Sequence, residues 1–167
     1  MNDLEHYRQL AEFSVDGIQQ LDTGGLVVRI NRSGCDALGV ADSEAARGKP
    51  WVAFWPKDVR VEIEAALDIA RGGQAAQFTC MAPGPDGEEC WWLVNVHPFV
   101  DADGRVDGLA AISRDVTEDV QATEALDAIR ERLQNRLSIS QSEGETIAAR
   151  NHKLARQLAS VRLSQQQ

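Results

Sequence analysis

After Thr117 the chain runs to its last residue without a proline, through a stretch rich in Glu, Gln, Ala, Arg and Leu, whereas all five prolines lie before residue 99. Proline breaks helix interiors, so this boundary separates a segment free to form one long helix from a segment punctuated by turns. In the proline-free part, Leu126, Leu133, Ser140, Ile147, Leu154 and Val161 recur at intervals of seven, with Ile129, Leu137 and Leu158 beside them. Such a stripe predicts a coiled-coil seam, because an isolated helix of this kind buries too little apolar surface and seeks a partner. Ser140 lies on the seam and Gly144 follows it, so the helix is expected to kink or turn back near 140–145.

The punctuated part reads as one domain with an appendage at each end: a flanking helix over 1–14, a domain over 15–117 and the long helix over 118–167. Leu4, Tyr7, Leu10 and Ala11 share one helical face, which predicts a short amphipathic helix. "GIQQLDTGGLVVRIN" reads as two strands around a glycine turn. "RSGCDALGV" and "DSEAARG" follow as short helices, the second with an Asp or Ser N-cap. "KDVRVEIEAALDIARGG" is a longer helix, with Val61, Ala65 and Leu67 or Asp68 in helical register and Gly72 and Gly73 as its stop. From Gln74 the period changes to two, giving three strands separated by "PGPDGE" and "DADGRV". The plan is α+β with an antiparallel sheet, and helices on one face of that sheet leave room for a pocket.

Charge and composition exclude several roles. A formal net charge of -9 repels phosphate backbones and anionic lipid, so neither nucleic acid nor membrane is expected as a partner. The first ten residues carry no basic and apolar leader pattern, and no 18-residue apolar run occurs, so the chain is expected to be cytoplasmic. Cys35, Cys80 and Cys90 form no CxxC pair and lie far in sequence from the three histidines, which leaves no expected metal site. No nucleophile with a nearby base, no paired carboxylates and no phosphate-cradling loop are present, so the chain is not expected to be an enzyme.

With this order of elements in place, the chain from about Leu10 to Thr117 resembles a PAS domain, the sensory module of many bacterial signalling proteins such as histidine kinases. The resemblance rests on "FSVDGIQQLDTGGLVVRIN", on Asn31 and "ALGV", on "GKPWVAFWP", and above all on "DGEECWWLVNVHPFVDADGRVDGLAAISRDVTE" with its closing Asp115-Val116-Thr117. It implies a five-stranded antiparallel sheet with helices over one face, dimerisation through flanking helices, and a C-terminal helix that carries the signal outward. Arg114, Asp115, Thr117 and Glu118 are then the relay residues. Taken locally, Asp115 is expected as an N-cap with Glu118 at N3, a capping-box-like pair with Asp119 adding favourable charge, while Arg114 pairs nearby.

PAS domains differ in what they hold. The flavin branch needs a reactive cysteine where Trp51 stands, and the haem branch commonly uses a histidine on the long helix, which has none; neither cofactor is expected, and the ligand stays unknown. Phe54, Trp55, Phe78, Trp91 and Trp92 either line an apolar ligand cavity or fill the core and dimer face. Cys80 and Cys90 lie opposite each other on one hairpin register as a redox pair, or stay as packed thiols.

"RNHKLARQLASV" is similar to the phosphoacceptor helix of the histidine kinases, with Asn151, His152, Lys153, Leu154, Leu158 and Ala159 in place and Ala155 and Arg156 departing from the pattern. Three functions follow. The first is a homodimeric sensory module that relays a signal, with or without a small-molecule ligand, to a downstream kinase or other effector. The second is a truncated two-component histidine kinase with His152 as phosphoacceptor. The third is a ligand-free protein–protein interaction module.

Overall fold

A computed structural model describes residues 3–164, with side chains described for residues 5–156. The chain forms α1 (Asp3–Phe13), β1 (Gly17–Leu21), β2 (Val27–Ile30), α2 (Arg32–Ala37), α3 (Ser43–Ala46), α4 (Arg60–Arg71), β3 (Ala76–Pro83), β4 (Glu89–Val100), β5 (Val106–Asp115) and α5 (Thr117–Ser164). Short 3₁₀ turns at Trp51–Phe54 and Lys57–Val59 lead into α4. The five strands make one antiparallel sheet in the order β2-β1-β5-β4-β3. This is the α+β PAS-type architecture anticipated above.

Local chemistry sets each turn. In the β1–β2 hairpin, Asp22 Oδ1 accepts from the Leu26 N–H at 2.8 Å, and Gly25 takes φ +82°, a conformation that disfavours a side chain. Asp42 caps α3 by accepting from the Ala45 N–H at 2.8 Å. Gly73, at φ +85°, ends the turn after α4.

Strand alternation divides the sheet into two faces. Leu21, Val94, Val96, Leu109 and Ala111 point inward and are buried, whereas His97 and Thr79 point outward and are exposed. α4 lies on the inner face through Ile63, Ala66, Leu67 and Ala70, spaced three and four apart. The register anticipated from Val61 and Ala65 is therefore shifted: both are exposed, because the sheet lies under the stripe that starts at Ile63. α1 takes the other side, where Tyr7, Ala11 and Glu12 bound a groove of about 580 Å³ against outward-facing Ile18, Arg29, Phe99 and Ala110.

By compactness the chain divides into a first unit, 1–120, and a second, 121–167. α5 is continuous from Thr117 to Ser164, so the chain does not turn back near 140–145. One glycine and a few serines cost too little helix propensity to interrupt a long run of strong helix formers. Among the described residues no helix is long and apolar enough to cross a membrane.

Candidate functional site

The strand-to-helix junction is held by hydrogen bonds to the neighbouring strand. The β4–β5 ladder ends at the pair Trp92 and Asp115. Beyond it, the Val116 N–H donates to the Trp91 carbonyl at 2.8 Å, and the Thr117 hydroxyl accepts from the Trp91 N–H at 2.8 Å. Thr117 thus takes over a ladder position with its side chain while its backbone begins α5. Asp115 Oδ1 accepts from the Thr117 N–H at 2.9 Å and from its hydroxyl at 2.6 Å.

The expected capping box is displaced by one residue. The Val120 N–H bonds to the Val116 carbonyl, so Val116 holds the N-cap position, Asp115 precedes it and Glu118 falls at the second helical residue. Asp115 cannot be the cap because it is still paired in β5; Glu118 and Asp119 remain as favourable charge in the first turn. Burial pushes the Asp115 carboxyl up, but the hydrogen bonds from the Thr117 hydroxyl and N–H outweigh it and hold it below its ordinary range.

Arg114, one residue earlier, donates from Nε and Nη2 to the two carboxylate oxygens of Asp16 at 2.8 and 2.7 Å. That hydrogen bond, aided by the guanidinium charge, holds the Asp16 carboxyl below its ordinary range. Asp16 lies in the connection between α1 and β1, so the bridge ties the N-terminal flank to the end of β5.

Asn31 organises the same region. Its Oδ1 accepts from the Ile18 N–H at 2.7 Å and the Gly34 N–H at 2.9 Å, and its Nδ2 donates to the Ala11 and Asp16 carbonyls at 2.8 and 2.9 Å. One amide therefore caps α2, satisfies the start of β1 and fastens the end of α1. In the sequence, Asn31 stood out only as one of the residues that carry the family resemblance, and its two long-range acceptors had no local signal.

Three of the five aromatic candidates meet at one place. Phe54, Trp55 and Trp92, with Leu38, Gly84 and Ser113, line a cavity of about 320 Å³ between the inner sheet face and the short helices. Arg60 fixes the Trp55 turn by donating to the Trp55 carbonyl at 2.9 Å. Trp55 meets Trp51 and Trp92 edge-on, at centroid distances of 5.7 and 6.4 Å. Trp91 points to the opposite sheet face, as strand alternation requires for a neighbour of Trp92, and Phe78 packs against the core without lining the cavity.

The thiols are free. In the observed register Cys80 faces Trp92 and Cys90 faces Ala82, so the two cysteines are not directly opposed and the redox-pair alternative loses its geometry. Burial pushes the Cys80 thiol up to about 11. Among the described residues no cluster of His, Cys, Asp and Glu is arranged to hold a metal.

On α5, Leu126, Ile129, Leu133, Leu137, Ile147 and Leu154 are all exposed in the protomer, between 49% and 67%. His152 is exposed as well. The side chains of Leu158 and Val161 lie outside those described.

Residues 12–121 match the family model for the PAS fold, and the chain belongs to that family. Its PAS domain is a sensory module. Solved structures agree in fold. The PAS domain of a protein from Colwellia psychrerythraea superposes with a TM-score of 0.59 at 18% identity, over 70% of this chain and 99% of that one. The Vibrio cholerae VqmA dimer, in the absence of target DNA, gives 0.60 at 17% identity, and the match spans 71% of this chain but only 53% of VqmA. A domain of a sensory box sensor histidine kinase/response regulator from Geobacter sulfurreducens gives 0.54 at 24% identity, over 68% of this chain and 94% of that domain. No curated protein is similar enough in sequence to be matched.

Proposed function

We propose that the chain is the sensory and dimerising module of a cytoplasmic signalling protein. A small molecule in the cavity beside Ser113 alters the end of β5, and Arg114, Asp115, Thr117 and Glu118 pass the change into α5. α5 pairs with a second copy along Leu126, Ile129, Leu133, Leu137, Ile147, Leu154, Leu158 and Val161 and acts on a downstream kinase or other effector. The observation that carries this reading is continuity: the strand that contributes Ser113 to the cavity wall runs within four residues into Thr117, whose hydroxyl is bonded to Trp91 of β4. A ligand with different affinity for two arrangements of this junction shifts their populations by that difference. The net charge of -9 argues against a nucleic-acid contact by this segment, and the DNA named for VqmA concerns that protein.

Native mass spectrometry of the full chain tests the reading. A dimer, with bound small-molecule mass on the freshly purified protein, supports it; a stable lone protomer at high concentration overturns it.

A second reading keeps His152 as a phosphoacceptor, supported by its exposure on α5 and by the similarity of "RNHKLARQLASV" to such helices. Incubation with a histidine-kinase catalytic domain and labelled ATP decides between them, since the first reading expects no label on His152.

A further inference from the structure

Two residues that line the cavity carry polar atoms that are sealed from solvent and that the protein itself leaves without partners. Trp55 is 3% exposed and Ser113 is 1% exposed, and neither the Trp55 indole N–H nor the Ser113 hydroxyl meets a hydrogen-bond partner. Both residues line the cavity. The contrast with Trp92 is informative: it lines the same cavity, yet its indole N–H donates to the Ala82 carbonyl at 3.2 Å. Buried polar groups are paired in the great majority of proteins, because an unpaired one forfeits its hydration without return. Gln19, two pairs along from the Gly17 and Ser113 pair, and Trp51 also have buried, unpartnered side-chain polar atoms, but neither residue lines the cavity.

Apart from Trp92, the remaining lining side chains are apolar, backbone polar groups are exposed among them, and no ionisable side chain is among the lining residues described. A charged guest would therefore give up part of its hydration to a wall that offers no counter-charge, which disfavours it relative to a neutral one. A wholly apolar guest would leave the indole N–H and the hydroxyl as they are. Only a neutral molecule with polar atoms answers both constraints. The volume of about 320 Å³ lies at the lower end of the range of ligand pockets, which suits a single-ring compound.

We infer that the cavity binds a small uncharged ring compound that accepts a hydrogen bond from the Trp55 indole N–H and exchanges a second one with the Ser113 hydroxyl. This rests on the sensory reading above and specifies the ligand class of the same site. It also supplies the trigger. The two polar atoms are sealed from solvent, so a ligand that reaches them has to displace the wall, and Ser113 lies two residues before Asp115 on the strand that ends in the relay.

Three single-ring probes test it: benzamide, its near-isostere benzoate, and the smaller apolar toluene, added to the full-length ¹⁵N-labelled protein while the tryptophan indole N–H resonances are followed. Benzamide is expected to move the Trp55 resonance and to bind at least about threefold tighter than toluene, the scale of one net hydrogen bond. Benzoate is expected to bind more weakly than benzamide. Trp55→Phe is expected to abolish the advantage of benzamide over toluene, and Ser113→Ala to reduce it; the serine variant keeps the test open if the tryptophan variant does not fold. Benzoate binding as well as benzamide overturns the inference about ligand class and leaves the sensory reading standing. The same holds for toluene equalling benzamide, or for benzamide binding without moving the Trp55 resonance. No probe moving any cavity resonance overturns both, the outcome of a cavity that holds water only.

Discussion

α4 and α5 are both amphipathic helices, yet they depend on different things. α4 has 12 residues and buries Ile63, Ala66, Leu67 and Ala70 against the sheet of its own chain. α5 has 48 residues, and Leu126 and Leu133 on its apolar stripe are 67% and 53% exposed. A helix as short as α4 is marginal alone, and tertiary burial holds it; α5 gains from length, strong helix formers and a start bonded to β4, while the described residues of its stripe are exposed. The lesson is that burial within the chain holds α4, whereas the described apolar stripe of α5 stays exposed and is held by none.

Breaking each helix in turn is the sharpest way to separate these roles. Leu67→Ala is expected to cost about 2–5 kcal/mol in urea unfolding of the whole chain, because it opens a cavity in a closed core. Leu133→Ala, the same chemical change, is expected to leave unfolding of the first unit within about 0.5 kcal/mol and, on the proposed pairing of α5 with a second copy, to weaken that association, read by sedimentation equilibrium. An equal loss from both variants would erase the distinction.

Asn31→Ala comes next. It removes four hydrogen bonds and leaves the Gly34 N–H buried without an acceptor, for an expected loss of about 2–3 kcal/mol. Hydrogen exchange should show α1 losing protection before α4 does.

Thr117→Val keeps the shape of the side chain and deletes the hydroxyl that serves Trp91 and Asp115. The expected cost is about 1 kcal/mol, with faster exchange at the Trp91 amide and in the first turn of α5. Unchanged protection at both places would mean that the helix start does not depend on β4.

The smallest effect is the pH dependence of the Asp16–Arg114 bridge, which is largely solvent-exposed on the arginine side. Asp16 keeps its charge to lower pH in the folded protein than in the unfolded chain. Its contribution is therefore complete above the unfolded value of about 3.9 and is lost as pH falls through the lower folded value. The melting temperature of Asp16→Asn should lie slightly below wild type near neutrality and converge with it in strong acid.

The reading of local pattern reached most of the fold. The β1–β2 hairpin at "DTGG", the Asp42 cap and the three alternating strands depend on neighbours in sequence, so the letters carried them. Choices between faces were less legible. Period-two alternation already puts Trp91 and Trp92 on opposite faces, but only the register with β3 shows that Trp92 is the inward one and that Cys80 faces it in place of Cys90. Of the anticipated α4 stripe only Leu67 faces the sheet, because small alanines on several faces left its register ambiguous until the sheet chose one.

Taken by itself, the sequence determined where helix gives way to strand, where turns fall, and that the proline-free tail with a seven-residue stripe is helical. Tertiary structure alone decided which polar atoms meet. Asn31 bonds Ala11 and Asp16, Arg114 reaches Asp16 across 98 positions, and Trp55 and Ser113 come to one cavity wall unpaired. The physical reason is range: backbone propensity and apolar period act over a few residues, whereas hydrogen-bond partners of buried groups are set by packing between strands and helices distant in the chain.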